Sequence, residues 1–434
     1  MKTVVIIGSA AAGTITGLTI KSIKPEYDVI IIGKEKNFFV RCSAPYVIGG
    51  ISKLNKCIKP DAMITSAGIR LIKDEVISVD PKKKEVKTKN KRFSYDYLVF
   101  ATGAKPFIPP IEGVNLKNVF TVRTAEDTKK IARAVKKARN ILIVGGGMIG
   151  IELAALLSKK HKVTVVELLP HILYAGYDDE FCKLVEDNLR KNKVNVLTNK
   201  KVERILGRKK VDAVVVSGRK IKTDVVILSV GIRSDVALAQ KAGIKIGKFG
   251  IKTDNRMRTN IPNIYAVGDC AQAFSSITRK PIPSGLVSTA IIEGKIAGMN
   301  ICGIDVKFNG VTNPSVTKIF DYSLGRVGFT EREAKKEGIH ILVGRSETLE
   351  KYDTQPNAKK LVTKLVFDSK KRLIGAQILG HGNVVAGLVD FLSYAIQNKA
   401  TVDELKQLHY SAHPELTALP FFHPIVMACE SVKE

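Results

Sequence analysis

The chain has 434 residues, 45% of them hydrophobic, which is enough for about two or three domains with buried cores. Lysine and arginine number 70 against 41 acidic residues, giving a formal net charge of +29, but the basic runs are dispersed and lack interleaved aromatic residues. We expect a solvated basic surface that can attract anionic substrates, and no nucleic-acid binding. No apolar stretch predicts a membrane span, the cysteines and histidines form no metal-binding pattern, and we expect a cytoplasmic protein.

The chain opens with an apolar strand, residues 4–7, followed by a turn of small residues and a helix. Gly8, Ala10 and Gly13 take the spacing of Gly-x-Gly-x-x-Gly, and Ala10 is small enough for a pyrophosphate to approach the helix N-terminus. Glu35 follows the next strand and is the candidate acceptor for ribose hydroxyls. The pattern predicts a dinucleotide-binding unit, although a purely structural turn has the same signature.

In the following segment, apolar and polar residues alternate, which is typical of short strands. Residues 76–79 and 85–88 predict an antiparallel pair, and residues 97–104 predict a buried strand that runs into a glycine turn. Prolines between 106 and 110 mark a linker to the next part of the chain.

A second unit of the same kind begins with the apolar strand at residues 141–144. Gly145, Gly147 and Gly150 match Gly-x-Gly-x-x-Gly in full, and Glu167 ends the next strand. An acid at that place accepts hydrogen bonds from a ribose 2′-hydroxyl and repels a 2′-phosphate. The second turn therefore predicts a dinucleotide site that favours NADH, with nearby lysine and histidine leaving NADPH open.

After about residue 240, the chain contains one more strand and turn before its pattern changes. An apolar strand leads into Gly268-Asp269, and a helix is predicted from about residue 285 to residue 300. An Asp there can hold a ribityl hydroxyl of a flavin, and the helix N-terminus can stabilise flavin charge. The alternative is an ordinary turn. From about residue 311, alternating strands and a helix near 384–397 predict a separate α+β domain.

Together with Ala101-Thr102-Gly103 and the run from Cys42 to Tyr46, these turns span the chain. The chain resembles the FAD-dependent pyridine nucleotide-disulfide oxidoreductases, in the branch that has one redox cysteine. The resemblance implies an α/β fold of two Rossmann-like dinucleotide-binding domains, for FAD and NAD, and a C-terminal α+β dimerisation domain. The implied boundaries are 1–112 and 240–312 for the FAD domain, 113–239 for the NAD(P)H domain and 313–434 for the dimerisation domain.

The resemblance also implies which residues hold FAD and the electron donor, NADH or NADPH. This set consists of Gly8, Ala10, Gly13, Glu35, Arg41, Val76, Thr102, Gly103, Gly145, Gly147, Gly150, Glu167, Gly231, Gly268 and Asp269.

Cys42 is the implied redox centre. Dithiol members of the family have a second cysteine five residues later, where this chain has Val47, so an internal redox disulfide is not available. A lone thiol beside a flavin can form a mixed disulfide, cycle through a sulfenic acid, or take up sulfane sulfur as a persulfide. Arg41 supplies a positive charge that favours the thiolate, and the other cysteines are expected to be buried apolar residues.

Two residues near the C-terminus complete the implied active site of a homodimer. Tyr410 resembles the tyrosine that one-cysteine members place in the partner subunit's active site, and His413 resembles the histidine base of dithiol members. The acid that supports such a histidine would fall at Ala418, so His413 is either a base without that acid or a structural interface residue.

We expect an oxidoreductase that passes electrons from NAD(P)H through FAD to Cys42 and on to a small thiol-derived disulfide, a persulfide or sulfur. Two alternatives are an oxidase that reduces oxygen to peroxide or water, and a reductase of a small electron-carrier protein. Coenzyme A binding is also open, because the first helix has Thr19 and Ser22 where coenzyme A-binding members usually have basic residues.

Overall fold

The computed structural model of the protein describes residues 1–433. Their contacts define two compact units. The first unit comprises residues 1–107, 123–129 and 231–311, and the second comprises residues 108–122, 130–230 and the chain from Thr312 onward. The predicted boundaries of the FAD, NAD(P)H and dimerisation domains stay predictions.

Strands and helices alternate along the chain. Residues 1–107 form β1 (Thr3–Ile7), α1 (Ala11–Ile23), β2 (Asp28–Gly33), β3 (Phe38–Phe39), α2 (Ala44–Ile48), β4 (Ile58–Lys59), α3 (Ala62–Thr65), β5 (Arg70–Lys73), β6 (Val76–Asp80), β7 (Glu85–Thr88), β8 (Arg92–Ser94), β9 (Tyr97–Phe100) and β10 (Ala104–Pro106). Residues 108–230 form β11 (Val119–Thr121), α4 (Ala125–Val135), β12 (Asn140–Val144), α5 (Met148–Leu157), β13 (Lys162–Val166), α6 (Asp179–Lys191), β14 (Asn195–Leu197), β15 (Val202–Leu206), β16 (Ala213–Val216), β17 (Arg219–Lys222) and β18 (Val225–Leu228). Residues 231–311 form β19 (Ile232–Ser234), α7 (Ala237–Lys241), β20 (Ile264–Ala266), β21 (Ala273–Phe274), β22 (Pro281–Ile282) and α8 (Val287–Ile301). The remainder forms β23 (Ser315–Ile319), β24 (Tyr322–Gly328), α9 (Glu331–Lys336), β25 (Ile341–Leu349), β26 (Lys360–Asp368), β27 (Leu373–His381), α10 (Val384–Gln397), α11 (Val402–Lys406) and α12 (Pro424–Glu430).

The first unit is built on a parallel sheet in the order β20-β9-β1-β2-β5. Its central strands are buried because apolar layers cover both faces. Side chains of α1 and α8 pack on one face, and residues of β7 and α7 pack on the other. This burial on two sides explains why the central strands are continuous apolar runs.

Two glycines on α8 allow α8 to lie close to α1. A Cβ on Gly294 would lie 2.4 Å from Cγ2 of Ile15, and a Cβ on Gly298 would lie 2.9 Å from the side chain of Thr19. Thr19 therefore faces α8, which is a packing role that its sequence position did not reveal.

The second unit contains another parallel sheet, in the order β11-β18-β12-β13-β14, and the antiparallel ribbon β15-β16-β17. Its C-terminal part is an antiparallel sheet in the order β23-β24-β27-β26-β25. Helix α10 contacts β24 and β27, and α12 contacts β25 and β26. The two parallel sheets and the C-terminal α+β layer confirm the predicted α/β fold class.

The predicted elements are displaced by a few residues at their ends. Helix α8 begins at Val287, after the predicted residue 285. The later start follows from the extended backbone of Leu286, which is the N-cap of α8. Within residues 1–433, no helix combines the length and apolar character needed to cross a membrane.

Candidate active site

The first glycine turn forms a tight backbone cradle after β1. Gly8 has a φ of +121°, and a Cβ there would lie 2.1 Å from the carbonyl oxygen of Ala101. A Cβ on Gly13 would lie 1.9 Å from the carbonyl oxygen of Gly8, so both positions require glycine. Ala10 is the N-cap of α1 and has no side-chain acceptor for the first amides. These amides are therefore suited to a phosphate.

Three other residues predicted to hold the cofactor lie at the two ends of the ribbon in which β10 pairs with β19. The hydroxyl of Thr102 donates a 2.6 Å hydrogen bond to the carbonyl oxygen of Asp235. Gly103 and Gly231 have φ angles of +73° and +98°, and a Cβ on Gly231 would meet no atom within 4 Å. Thr102 and Gly103 thus lie at one end of the ribbon, beside Asp235. Gly231 lies at the other end, where its carbonyl oxygen accepts a 2.9 Å hydrogen bond from the nitrogen of Phe107.

Arg123 lies beside Gly103 and Asp269, and its sequence position did not mark it as a site residue. Its Nη2 lies 3.0 Å from Oδ2 of Asp269 and 3.3 Å from the position of a Cβ on Gly103. The pairing holds the Asp269 carboxylate at the predicted flavin position. No local motif marks Arg123, because its partner lies 146 residues away in the chain.

A buried acid, Glu293, lies behind the Gly268-Asp269 turn. Its Oε2 accepts a 2.7 Å hydrogen bond from the backbone nitrogen of Gly268. Burial raises the pKa of Glu293 to about 8, the hydrogen bond from Gly268 opposes the rise, and the charge of Asp269 adds to it. Glu293 therefore supports the turn from inside the first unit, in a largely protonated state at neutral pH.

Glu35, the predicted ribose acceptor, is paired with the residue that precedes Cys42. Its Oε1 forms an ion pair with Nη2 of Arg41, and both side chains are half-buried. Nε of Arg41 is buried and has no hydrogen-bond partner among residues 1–433. This donor is suited to an oxygen of a bound ligand. A carboxylate has two oxygens, so the pairing through Oε1 leaves the predicted hydrogen bond from Glu35 to a ribose hydroxyl possible.

Cys42 is the exposed thiol of the described chain. It lies in a single turn of 3₁₀ helix, Arg41–Ser43, directly before α2. The other five cysteines in residues 1–433 are buried, as expected. Burial raises the pKa of the Cys270 thiol to about 11 and of the Cys182 and Cys429 thiols to about 12, so these thiols are unreactive at neutral pH.

The second glycine turn repeats the geometry of the first in the second unit. Gly145 has a φ of +101°, and a Cβ there would lie 2.4 Å from the carbonyl oxygen of Ser229. A Cβ on Gly150 would lie 2.1 Å from the carbonyl oxygen of Gly145, whereas a Cβ on Gly147 would meet nothing within 4 Å. Protein packing thus requires glycine at 145 and 150, and the open space at 147 suits a ligand that approaches the backbone.

Backbone amides of the second turn hold Glu167 in place. Its Oε2 accepts a 2.7 Å hydrogen bond from the nitrogen of Gly146, and its Oε1 accepts a 2.8 Å bond from the nitrogen of Leu169. Each carboxylate oxygen can accept a second hydrogen bond, so the side chain can still bind a ribose hydroxyl.

Two family models match the chain. One, described as pyridine nucleotide-disulphide oxidoreductase, covers residues 2–293, and the other, described as the dimerisation domain of the same proteins, covers residues 314–420. The chain belongs to the pyridine nucleotide-disulphide oxidoreductase family. It is therefore an NAD(P)H-dependent flavoprotein oxidoreductase, as the sequence predicted.

Several members of this family are similar to the chain over most of their length. A Methanocaldococcus jannaschii protein named NADH oxidase is 37% identical over 98% of this chain and 97% of its own. A Pyrococcus abyssi protein named NAD(P)H sulfur oxidoreductase (CoA-dependent) is 37% identical over 87% of each chain. The structure of a NAD-dependent persulfide reductase from A. fulgidus has a TM-score of 0.94 and 32% identity, covering 99% of this chain and 82% of that one.

FAD and NADH or NADPH are the cofactors of this oxidoreductase, and the residues present fit them. The cradle at Gly8, the uncapped start of α1 and the free Nε of Arg41 offer donors to an anionic dinucleotide. Val76, a further predicted FAD contact, is half-buried at the start of β6 and packs on the apolar core. Groups of three or more side chains that could bind a metal are not found in the described residues.

The dimerisation domain places Tyr410 and His413 in different surroundings. The hydroxyl of Tyr410 donates a 2.7 Å hydrogen bond to the carbonyl oxygen of Pro420, and its ring stacks on His423 with 4.2 Å between ring centroids. His413 is exposed, and its Nδ1 accepts a 3.3 Å hydrogen bond from the nitrogen of Glu415. A supporting acid beside His413, absent from the sequence pattern, is not supplied by these contacts.

His423 was not singled out by its sequence position. Burial lowers its pKa to about 4, and its Nδ1 has no hydrogen-bond partner within residues 1–433. His423 is therefore neutral at neutral pH and supports the Tyr410 ring as an uncharged platform.

Proposed function

We propose that the enzyme passes electrons from NADH through FAD to Cys42 and on to a small disulfide, persulfide or sulfur acceptor. The observation that carries this proposal is the exposure of Cys42 beside the Arg41–Glu35 pair, while the other cysteines of residues 1–433 are buried. The A. fulgidus and P. abyssi relatives, named for persulfide and sulfur reduction, support the same acceptor class.

NADH is the proposed donor at the second glycine turn. FAD, when bound, accepts a hydride from the nicotinamide and returns electrons in pairs to sulfur. Glu167, fixed by the amides of Gly146 and Leu169, would accept the ribose 2′-hydroxyl and would repel a 2′-phosphate.

Cys42 performs the exchange with the acceptor. Its thiolate attacks one sulfur of a disulfide RSSR, forming Cys42–S–S–R and releasing RS⁻, which takes a proton. Two electrons from NADH and one proton then cleave the new bond, giving RSH and the Cys42 thiolate.

We also propose that the enzyme is a homodimer in which Tyr410 and His413 serve the partner's site. The segment that follows Tyr410 exposes apolar side chains, with Leu416 71% and Phe421 82% exposed. Apolar surface of this kind in a dimerisation domain is suited to burial against a second copy. Tyr410 would then donate a proton to the leaving thiolate.

Coenzyme A is disfavoured as the carrier of the acceptor disulfide. Nζ of Lys21, the single cation within α1, donates to the backbone carbonyl oxygen of Tyr27 at 3.1 Å and also contacts that of Pro25. Thr19 is packed towards Gly298 of α8. The face where coenzyme A-binding members have basic residues therefore offers little charge to its phosphates.

Oxygen reduction is the second candidate, and the M. jannaschii relative named NADH oxidase favours it. The two candidates differ in their need for Cys42. Anaerobic NADH consumption should be measured with polysulfide, a small disulfide and coenzyme A disulfide, and oxygen consumption should be measured separately.

The matched variants are Cys42→Ser and, as a control, Cys57→Ser at a buried cysteine of the same unit. The proposal predicts that Cys42→Ser alone abolishes turnover with the sulfur acceptors and that kcat/KM for the best sulfur acceptor exceeds that for oxygen. Sulfur reduction that survives in Cys42→Ser would contradict the proposal.

A further inference from the structure

The segment between β13 and α6 lies directly against the second glycine turn. The backbone nitrogen of Leu173 donates a 2.9 Å hydrogen bond to the carbonyl oxygen of Gly146, and a Cβ on Gly146 would lie 2.6 Å from Cγ2 of Ile172. Leu173 is buried and has a φ of +59°, in the left-handed region that is unfavourable for leucine. Such a conformation persists only when neighbouring contacts enforce it.

Backbone nitrogens of Gly176 and Tyr177 donate to the carbonyl oxygen of Leu173, at 2.9 and 3.1 Å. The chain that follows Leu173 is held in turn by Arg332 on α9, in the dimerisation domain. Its Nη2 donates to the carbonyl oxygens of Tyr177, at 2.7 Å, and of Tyr174. Its guanidinium lies 3.7 Å from the centroid of the Tyr174 ring, and its Nη1 lies 2.8 Å from Oδ1 of Asp179. One guanidinium thus fixes the turn that follows Leu173.

A buried ion cluster anchors the far end of the same segment. The backbone nitrogen of Asp178 donates to Oε1 of Gln377 at 2.7 Å, and Oδ2 of Asp178 accepts from Nζ of Lys364 at 2.8 Å. Lys364 is 2% exposed and also lies 2.8 Å from carboxylate oxygens of Glu180 and Glu331. Contacts therefore run without a gap from the sheet of the dimerisation domain to the glycine turn.

We propose that Arg332 is a positioning residue for bound NADH, acting through the segment 173–178 on the glycine turn Gly145–Gly150. The inference rests on the proposed NADH site at that turn. Arg332 touches no reacting group, so its effect falls on affinity for the nicotinamide nucleotide, and FAD binding in the other unit is unaffected.

The test uses the FAD-loaded enzyme and ADP-ribose, a probe that shares the adenosine and pyrophosphate of NADH but carries no hydride. Calorimetry should show ADP-ribose binding about three- to tenfold weaker in Arg332→Gln, the range of remote coupling effects. The KM for NADH should rise with kcat and flavin content unchanged. Hydrogen exchange at the Leu173 amide should also accelerate.

The matched control is Arg372→Gln, because Nε of Arg372 pairs at 2.8 Å with Asp368 in the same domain and has no hydrogen bond or ion pair with the segment. This control should bind ADP-ribose as the wild type does. Arg332→Lys keeps the positive charge near Asp179 and loses the guanidinium hydrogen bonds to the two carbonyl oxygens, so an intermediate affinity for ADP-ribose is expected. This variant replaces Arg332→Gln in the test if Arg332→Gln does not fold.

Gly147→Asp separates the inference from the site on which it rests, because it places a carboxylate beside the proposed pyrophosphate. If Gly147→Asp loses ADP-ribose binding while the Arg332 variants bind normally, the positioning role is wrong and the NADH site stands. If Gly147→Asp also binds normally, the NADH site itself is wrong and the inference is overturned with it.

Discussion

Oε2 of Glu293 accepts a 2.7 Å hydrogen bond from the backbone nitrogen of Gly268, although the glutamate is buried in the first unit. Burial raises its pKa to about 8, so the folded protein keeps a proton that the unfolded chain releases near pH 4.5. Stability must therefore fall as pH rises between these two values and level off above pH 8.

Glu293→Gln removes this pH-dependent loss of stability, because glutamine does not titrate. Its amide oxygen can still accept the hydrogen bond from the nitrogen of Gly268. We expect the variant to match the wild type at pH 5 and to gain on the order of 4 kcal/mol at pH 9, since one pKa unit corresponds to about 1.4 kcal/mol. Thermal unfolding at both pH values checks this. Exposed Glu203, which accepts from the nitrogen of Gly218 at 3.1 Å, gives the control Glu203→Gln, with no gain expected at either pH.

The two glycines of the second turn should respond differently to the same substitution. Gly150→Ala would place a Cβ 2.1 Å from a carbonyl oxygen and should cost about 1–3 kcal/mol of folding stability. Gly147→Ala adds a Cβ to open space, so its melting temperature should be unchanged while NADH binding weakens by about tenfold. A Gly147→Ala variant that binds NADH normally would show that the open space is not the pyrophosphate site.

Lys364 should be essential for the stability of the dimerisation domain. Three carboxylates at 2.8 Å surround a lysine that is 2% exposed, so Lys364→Met leaves charge buried without a counterion. Urea unfolding should show a loss of about 3–5 kcal/mol. Lys360→Met, on the same strand and paired with exposed Glu347, should change stability by less than about 1 kcal/mol. Equal losses in both variants would contradict the proposed cluster energetics.

Tyr410→Phe keeps the stack on His423 and removes the hydroxyl. If Tyr410 donates a proton to the leaving thiolate, turnover with a sulfur acceptor should fall by about a hundredfold, while reduction of the flavin by NADH should be unchanged. Tyr394→Phe removes another exposed hydroxyl of the dimerisation domain and is the control. Stopped-flow measurement of both half-reactions distinguishes these effects, and unaltered turnover in Tyr410→Phe would exclude the acid role.

The sequence predicted the parts of the fold and site that depend on local backbone geometry. Gly8, Gly13, Gly145 and Gly150 lie where a Cβ would strike a nearby carbonyl oxygen, so their spacing alone predicts two dinucleotide turns. The lone thiol of Cys42 was likewise visible in the sequence; the structure shows that it is exposed, and its redox role stays a prediction.

Residues whose roles depend on distant partners could not be predicted. Arg123 meets Asp269 across 146 positions, and Lys364 resembles an ordinary strand lysine until the fold surrounds it with carboxylates. Glu35 was expected to serve a ribose alone, yet it also pairs with Arg41. Long-range pairing of charges leaves no periodic or spacing signal in a single sequence.

The most direct test of the central claim is an anaerobic titration with NADH of the wild type and Cys42→Ser, followed by flavin and charge-transfer absorbance. After oxidation by the sulfur acceptor, the wild type should take up two more electrons than the variant before free reduced flavin appears. Equal uptake by both proteins would show that Cys42 is not a redox centre and would leave oxygen or a carrier protein as the acceptor.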